Sequence, residues 1–190
     1  MARTRRTAVD VDRAILAAVL EDLDERGYLG VTFEGVARRA GTSKPVVYRR
    51  HNSRASLVLA ALTHRLEDVP VVPTVGDLRT DLIALLEGAA ARAAAIGEQT
   101  YRGLVGELLG VQLPEMGRLV GLVGDRIDAV LEPARDRGEL GPAPIPAAVR
   151  LLPLVLLRDR ALFGSWQAGD VEATVDLILL PLLRATSPPG

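Results

Sequence analysis

Apolar residues recur every four positions near the start of the chain, at Val11, Ile15, Val19 and Leu23. This spacing places them on one face of a helix over Asp10–Arg26, and Gly27 follows where a left-handed residue commonly ends a helix. Similar helical patterns continue to the end of the chain. No segment shows the alternation typical of a strand, and aromatic residues make up only 3% of the chain. The sequence therefore predicts an all-α fold.

Two short helices are predicted next, joined by the turn AGTS. Thr32 is placed to cap the first of them, FEGVARRA. A hydroxyl residue of the turn caps the second, which runs over Ser43–Arg50 and carries Pro45 in its first turn, where a missing N–H group is tolerated. Ser53 is the predicted cap of a fourth helix. These helices form the predicted N-terminal domain, residues 1–68.

The segment VPVVPTVG, Val69–Gly76, has two prolines and no helical period, so it is the predicted domain boundary. A larger all-helical domain is expected over residues 77–190. Its predicted helices cover residues 77–95, 98–109, 114–137, 146–164 and 170–184. Charge divides at the same place: residues 1–68 carry a net +3 and residues 69–190 a net −4.

The segment Gly41–Arg54 contains four lysine or arginine residues, one histidine and no acid. Two short helices joined by a tight turn, the second of which presents basic and hydroxyl groups, are typical of a helix-turn-helix that places its second helix in the major groove of DNA. Short arginine-rich helix pairs also occur as solvated surfaces. The spacing alone leaves both interpretations open.

The stretch TFEGVARRAGTSKPVVYRRHNSRASLV, Thr32–Val58, resembles the DNA-binding motif of the TetR family of transcriptional regulators. The resemblance covers about residues 8–68 and rests on Thr32, Val36, Ala37, Ala40, Gly41, Ser43, Lys44, Val47, Tyr48, His51, Ser53, Arg54 and Leu57. Two residues depart from the family pattern. His51 stands where Phe or Trp is usual, and Arg54 stands where Lys is usual. The first change either loosens the packing beneath the recognition helix or adds a phosphate contact.

The resemblance implies a DNA-binding site within residues 32–54, with the helix-turn-helix motif at 32–51. Its predicted residues are Thr32, Thr42, Ser43, Lys44, Pro45, Val46, Tyr48, Arg49, Arg50, His51 and Arg54. Within that set, the side chains expected to face base edges are Ser43, Lys44, Val46 and Arg49. Those expected at phosphates are Thr32, Tyr48, Arg50 and Arg54. Before the first helix, Arg3, Arg5 and Arg6 form either a DNA-contacting arm or a solubilising terminus.

In the second domain, the resemblance implies ligand binding and homodimerisation. The helices predicted at 146–164 and 170–184 are apolar around much of their circumference, which favours a four-helix interface between two copies over burial inside a monomer. Polar or aromatic groups among apolar faces are the candidate pocket residues, namely Gln99, Tyr101, Arg102, Arg158, Phe163 and Trp166. Six glycines crowd two neighbouring helices, at positions 103, 106, 110, 117, 121 and 124, where close helix packing is the preferred explanation.

The remaining function classes have little support. The chain has no cysteine and two histidines, without metal-ligand spacing or a nucleophile motif, so neither an enzyme nor a metal site is expected. No cofactor, signal peptide or membrane helix is expected either, and a cytoplasmic location is predicted. The leading hypothesis is a homodimeric repressor that a small-molecule ligand releases from its double-stranded DNA operator. The alternative is a protein–protein adaptor that uses the helix pair without DNA.

Overall fold

A computed structural model describes residues 7–71, 76–108, 113–164 and 166–189. The described residues contain helices and no strand, so the predicted all-α fold is confirmed. The helices are α1 (Ala8–Gly30), α2 (Phe33–Arg39), α3 (Lys44–Tyr48), α4 (Arg54–Glu67), α5 (Leu78–Ile96), α6 (Glu98–Leu108), α7 (Pro114–Asp136), α8 (Ala147–Arg150), α9 (Leu152–Phe163), α10 (Asp170–Thr174) and α11 (Leu180–Thr186), with a π-helical segment Val175–Leu179 between the last two.

The chain divides into two compact units. The first comprises Met1–Val69 and Gln99–Arg118, and the second comprises Pro70–Glu98 and Leu119–Gly190. The sequence analysis assigned residues 99–118 to the second domain, whereas they group here with the N-terminal helices. The location of the domain boundary itself stays a prediction.

The first unit is built around α1, whose buried residues Ile15 and Val19 recur at the predicted spacing of four. Helix α4 packs along α1 and contributes the fully buried Leu57 and Val58. Helix α2 is held to α1 by Arg39, which donates hydrogen bonds to Glu21 and Glu25 of α1.

Local chemistry sets the ends of these helices. The hydroxyl of Thr32 accepts a hydrogen bond from Gly35 N at 3.0 Å, and that of Ser53 accepts one from Ser56 N at 3.0 Å. Both predicted N-caps are thereby confirmed. Gly41, in the turn between α2 and α3, has a φ of +64°, a conformation that side chains with a Cβ rarely adopt.

The second unit has its own core, to which α5, α7 and the C-terminal helices contribute. Its fully buried leucines include Leu78, Leu82 and Leu131, and Val175 and Leu179 of the π-helical segment complete the cluster. Ser187 closes the C-terminal end, since its buried hydroxyl donates to the carbonyl oxygen of Gly141 at 2.6 Å.

Two predicted helices of this unit are interrupted. The predicted helix 146–164 is divided into α8 and α9 at Leu151, two residues before Pro153 in the first turn of α9. The predicted helix 170–184 contains the π-helical segment, which ends just before Pro181. A proline has no N–H group to donate to the preceding turn, and in each case the irregular backbone ends two residues before a proline.

The crowded glycines do not share one role. A Cβ atom at Gly103 would lie 2.5 Å from the ring of Tyr28, and one at Gly124 would lie 2.8 Å from the guanidinium group of Arg150. Close packing explains these two positions. A Cβ atom at Gly106, Gly117 or Gly121 would meet nothing within 4 Å, so close packing was the wrong explanation there. Gly110 lies outside the described residues.

Candidate nucleic-acid interface

Helix α3 is a short helix anchored by one residue. Val47 is fully buried, while Ser43, Lys44 and Arg49 are exposed around it. Pro45 lies in the first turn, as the sequence predicted, and Ser43 occupies the N-cap position without a capping hydrogen bond from its side chain. The helix therefore turns one apolar side chain inward and presents hydroxyl and cationic groups to the outside, the arrangement that a major-groove reader needs.

Tyr48 is the large aromatic group on this outer surface. Its ring stacks on Phe33 of α2, with ring centroids 4.0 Å apart and an interplanar angle of 8°. The side chain is still 49% exposed, and the ammonium group of Lys44 lies 5.8 Å from the ring centroid. Phe33, which is not among the predicted site residues, fixes the direction in which Tyr48 points. The phenol is thus held in place at the surface.

The two arginines predicted at phosphates are already paired with carboxylates. Arg50 Nε donates to Asp12 of α1, and its Nη1 group donates to the carbonyl oxygen of Val46 at 3.3 Å. Arg54 Nη1 lies 3.7 Å from Glu107 of α6. Neither acid was named by the sequence analysis, because 38 and 53 residues separate them from their partners. In the free protein, each of these arginines is therefore oriented by a carboxylate that also compensates its positive charge.

His51 lies in a mostly buried polar cluster and not at the outer surface. The hydroxyl of Ser56 donates to Glu115 of α7 at 2.6 Å, so its oxygen is left to accept from Nδ1–H of His51, 3.1 Å away. The His51 side chain is only 13% exposed. Burial lowers the pKa of His51, an effect that Glu115 and Asp12 oppose and that Arg50 reinforces.

The other predicted site residues are spread more widely. Thr32 and Pro45 are exposed, and Thr42 and Val46 are half-buried. Three pocket candidates belong to the first unit, at positions 99, 101 and 102, and three to the second, at positions 158, 163 and 166. Phe163 is 81% exposed, and Trp166 lies against the core of the second unit. The pocket stays a prediction. Arg3, Arg5 and Arg6 lie outside the described residues.

Among the residues that the structure describes, no group of three or more His, Cys, Asp or Glu side chains is placed to hold a metal ion. None of the described helices is both long enough and apolar enough to cross a bilayer.

Residues 15–61 match the family described as bacterial regulatory proteins, tetR family. An HTH-type transcriptional regulator of Mycobacterium tuberculosis H37Rv, itself uncharacterized, is 34% identical over 183 residues, which is 91% of this chain and 88% of that protein. The chain belongs to the TetR family. A second relative, named DNA-binding transcriptional repressor TetR, from Mycobacteroides abscessus, is 32% identical over 90% of this chain and 93% of that protein.

Solved structures of TetR-family proteins share the fold over nearly the whole chain. A TetR transcriptional regulator from Rhodococcus sp. RHA1 has a TM-score of 0.63 at 18% identity, covering 92% of this chain and 95% of that one. The regulator FadR from Bacillus subtilis, in complex with stearoyl-CoA, has a TM-score of 0.53 at 14% identity, covering 90% and 97%. This TetR-family protein is a DNA-binding transcriptional regulator, and its helix-turn-helix comprises α2 and α3.

Proposed function

We propose that the protein is a homodimeric repressor that binds a double-stranded DNA operator and is released from it by a small-molecule ligand, without a cofactor, in the cytoplasm. The observation that carries the DNA-binding part is the outer surface of α3. A fully buried Val47 fixes the helix, while Lys44, Tyr48 and Arg49 remain at the surface. The relative from Mycobacteroides abscessus is named a repressor, which supports the direction of regulation.

Binding is tested by fluorescence anisotropy with the DNA upstream of the protein's own gene, against a scrambled duplex, over a series of salt concentrations. Specific binding that weakens steeply with salt is expected, because phosphate contacts release counterions. Replacing Arg49 by Ala removes a predicted base contact and is expected to cost about 1–3 kcal/mol on the operator and much less on the scrambled duplex. Arg65→Ala, which removes one positive charge from the end of α4, is the matched control.

Two results would contradict the assignment. Equal losses for Arg49→Ala and Arg65→Ala would mean that α3 does not read bases. The absence of DNA binding at low salt would favour the adaptor hypothesis, in which the helix pair contacts a protein partner.

The dimer proposal rests on apolar side chains that the second unit leaves exposed. These are Val155 and Phe163 of α9 and Leu177, Ile178 and Leu182 of the C-terminal helices. They lie in the two segments predicted to form the interface, and burying them against the same surface of a second copy would remove the patch from water. Two copies then hold their α3 helices at a fixed spacing, roughly 34–36 Å for adjacent major grooves.

Light scattering coupled to size-exclusion chromatography tests the dimer. Leu177 is 76% exposed, and the variant Leu177→Glu is expected to be monomeric. Leu29 in the first unit is 78% exposed, so Leu29→Glu makes the same change at an equally open site and is expected to leave the dimer intact. Dimers of both variants would refute an interface at the C-terminal helices.

Ligand release is the third part of the proposal. The fold neighbour FadR from Bacillus subtilis was solved in complex with stearoyl-CoA, which supports a small-molecule ligand for this protein. A ligand releases the operator only if it binds the two dimer geometries with different affinity. Compounds that raise the melting temperature of the protein are therefore expected to weaken operator binding by at least about tenfold, which corresponds to a coupling of about 1.4 kcal/mol. Compounds that bind without this effect would argue against induction.

A further inference from the structure

We propose that Asp12 and Glu107 act as internal competitors for the DNA backbone, holding Arg50 and Arg54 in the free protein and thereby setting the affinity of the protein for DNA of any sequence. This inference rests on the proposed roles of Arg50 and Arg54 as phosphate contacts. It concerns residues outside the helix-turn-helix motif.

The first pair, Arg50 and Asp12, joins the residues that follow α3 to α1. Arg50 Nε donates to a carboxylate oxygen of Asp12. The Arg50 side chain is 25% exposed and that of Asp12 is 52% exposed, so the pair is open to solvent and to an approaching phosphate. A carboxylate and a phosphate present the same kind of acceptor to a guanidinium group. A backbone phosphate that binds Arg50 therefore competes with Asp12 for the guanidinium group.

The second pair repeats the arrangement at the start of α4. Arg54 lies 3.7 Å from Glu107, with its guanidinium carbon 5.5 Å from the ring centroid of Tyr28. The Arg54 and Glu107 side chains are 30% and 41% exposed. The ring supports the cation from one side and the acid compensates its charge. Both arginines predicted at phosphates are thus held by an acid from another helix of the first unit.

The competition has a calculable size. Exposed pairs of this kind contribute about 0.2–1 kcal/mol, so removing either acid is expected to tighten DNA binding by about one and a half- to fivefold. After displacement, the free carboxylate also stays near the phosphate and repels it. Phosphate contacts carry no sequence information, so the gain is expected to be equal on operator and scrambled DNA.

Asp12→Asn is the first test, because asparagine keeps the shape of the side chain and removes its charge. Any such change also makes the whole protein one unit more positive. Asp24→Asn controls for that, since Asp24 is also on α1, is 68% exposed, and faces Arg65, which is not a predicted phosphate contact. For Glu107→Gln the control is Glu67→Gln. Glu67 pairs with Arg118, which is not a predicted phosphate contact.

Each variant is titrated with both duplexes by fluorescence anisotropy at several salt concentrations. The expected result is that Asp12→Asn binds more tightly than Asp24→Asn, and Glu107→Gln more tightly than Glu67→Gln. In an Arg50→Ala background, the excess produced by Asp12→Asn is expected to vanish, because the competed cation is gone.

Two failures are distinguishable. If Arg50→Ala does not weaken DNA binding, Arg50 is not a phosphate contact, and the proposed interface is wrong together with the inference. If Arg50→Ala weakens binding but Asp12→Asn is no tighter than Asp24→Asn, the interface stands and the competition is refuted. Weaker binding by Asp12→Asn would also refute it, because Asp12 would then be shown to position Arg50 for the phosphate.

Discussion

Replacing Gly103 by Ala tests whether the packing of α6 in the first unit is as tight as the structure shows. A methyl group there would place its carbon 2.5 Å from Cδ1 of Tyr28. Carbon atoms in contact prefer about 3.5–4.0 Å, so either the ring or the helix must move by about 1 Å. Tyr28 is 3% exposed, so its ring is buried.

The expected magnitude follows from two opposing effects. Overpacking of this kind costs about 1–3 kcal/mol. Alanine is favoured over glycine inside a helix by up to about 1 kcal/mol, which offsets part of that cost. Gly106 lies on the same helix with nothing within 4 Å of its Cβ position, so Gly106→Ala shows the helix effect alone. Gly103→Ala is therefore expected to be less stable than Gly106→Ala by about 1–3 kcal/mol.

Thermal and urea unfolding followed by far-ultraviolet circular dichroism give the comparison. A second measurement assigns the cost to the ring: in a Tyr28→Leu background, the difference between the two alanine variants is expected to shrink. Equal stability of Gly103→Ala and Gly106→Ala in the wild-type background would refute the close contact.

Two further predictions concern pH and the C-terminal closure. Burial holds the pKa of His51 below its ordinary 6.5. Once the pH falls through 6.5, the unfolded chain therefore binds more protons than the native protein. The free energy of unfolding consequently decreases as the pH falls further. His51→Phe is expected to reduce this loss in urea midpoints measured over that range, whereas His64→Phe is expected to retain it. A Cβ atom at Gly141 would lie 2.0 Å from the carbonyl oxygen of Pro188. Gly141→Ala is therefore expected to destabilise the second unit by about 1–3 kcal/mol, seen as an earlier unfolding midpoint in the fluorescence of Trp166, the single tryptophan.

The helices and their ends could be predicted because their signals are local. A hydroxyl residue before an apolar period caps a helix because its side-chain oxygen accepts from a backbone N–H group three residues later, as Thr32 and Ser53 do. A glycine takes the left-handed turn, as Gly41 does. The irregular backbone near Pro153 and Pro181 also had a local signal, the prolines themselves. The apolar pattern around them nevertheless led to the prediction of regular helices. The corrections there concern the interior of helices and not their existence.

The electrostatic partners of the site could not be predicted in this way. Helical periodicity tells which face a side chain occupies but not which distant residue meets that face. Asp12 and Glu107 stand in separate helices, and each is far in sequence from the arginine that it meets. His51 shows the same limit, because its burial depends on Ser56 and on Glu115 of α7. Only the tertiary structure distinguishes a free cation from a compensated one.

The difference between free and compensated cations affects how strongly a cationic motif is expected to bind DNA. By sequence, the segment Gly41–Arg54 offers DNA four lysine or arginine side chains. In the folded chain, Arg50 and Arg54 are compensated by acids from α1 and α6, and over the described residues Lys44 and Arg49 form no ion pair. DNA affinity depends on the free energy of exchanging those acids for phosphates as well as on the number of cations. Two chains with the same recognition helix are therefore expected to differ in affinity when they differ at positions 12 and 107, even though neither position belongs to the predicted DNA-binding residues.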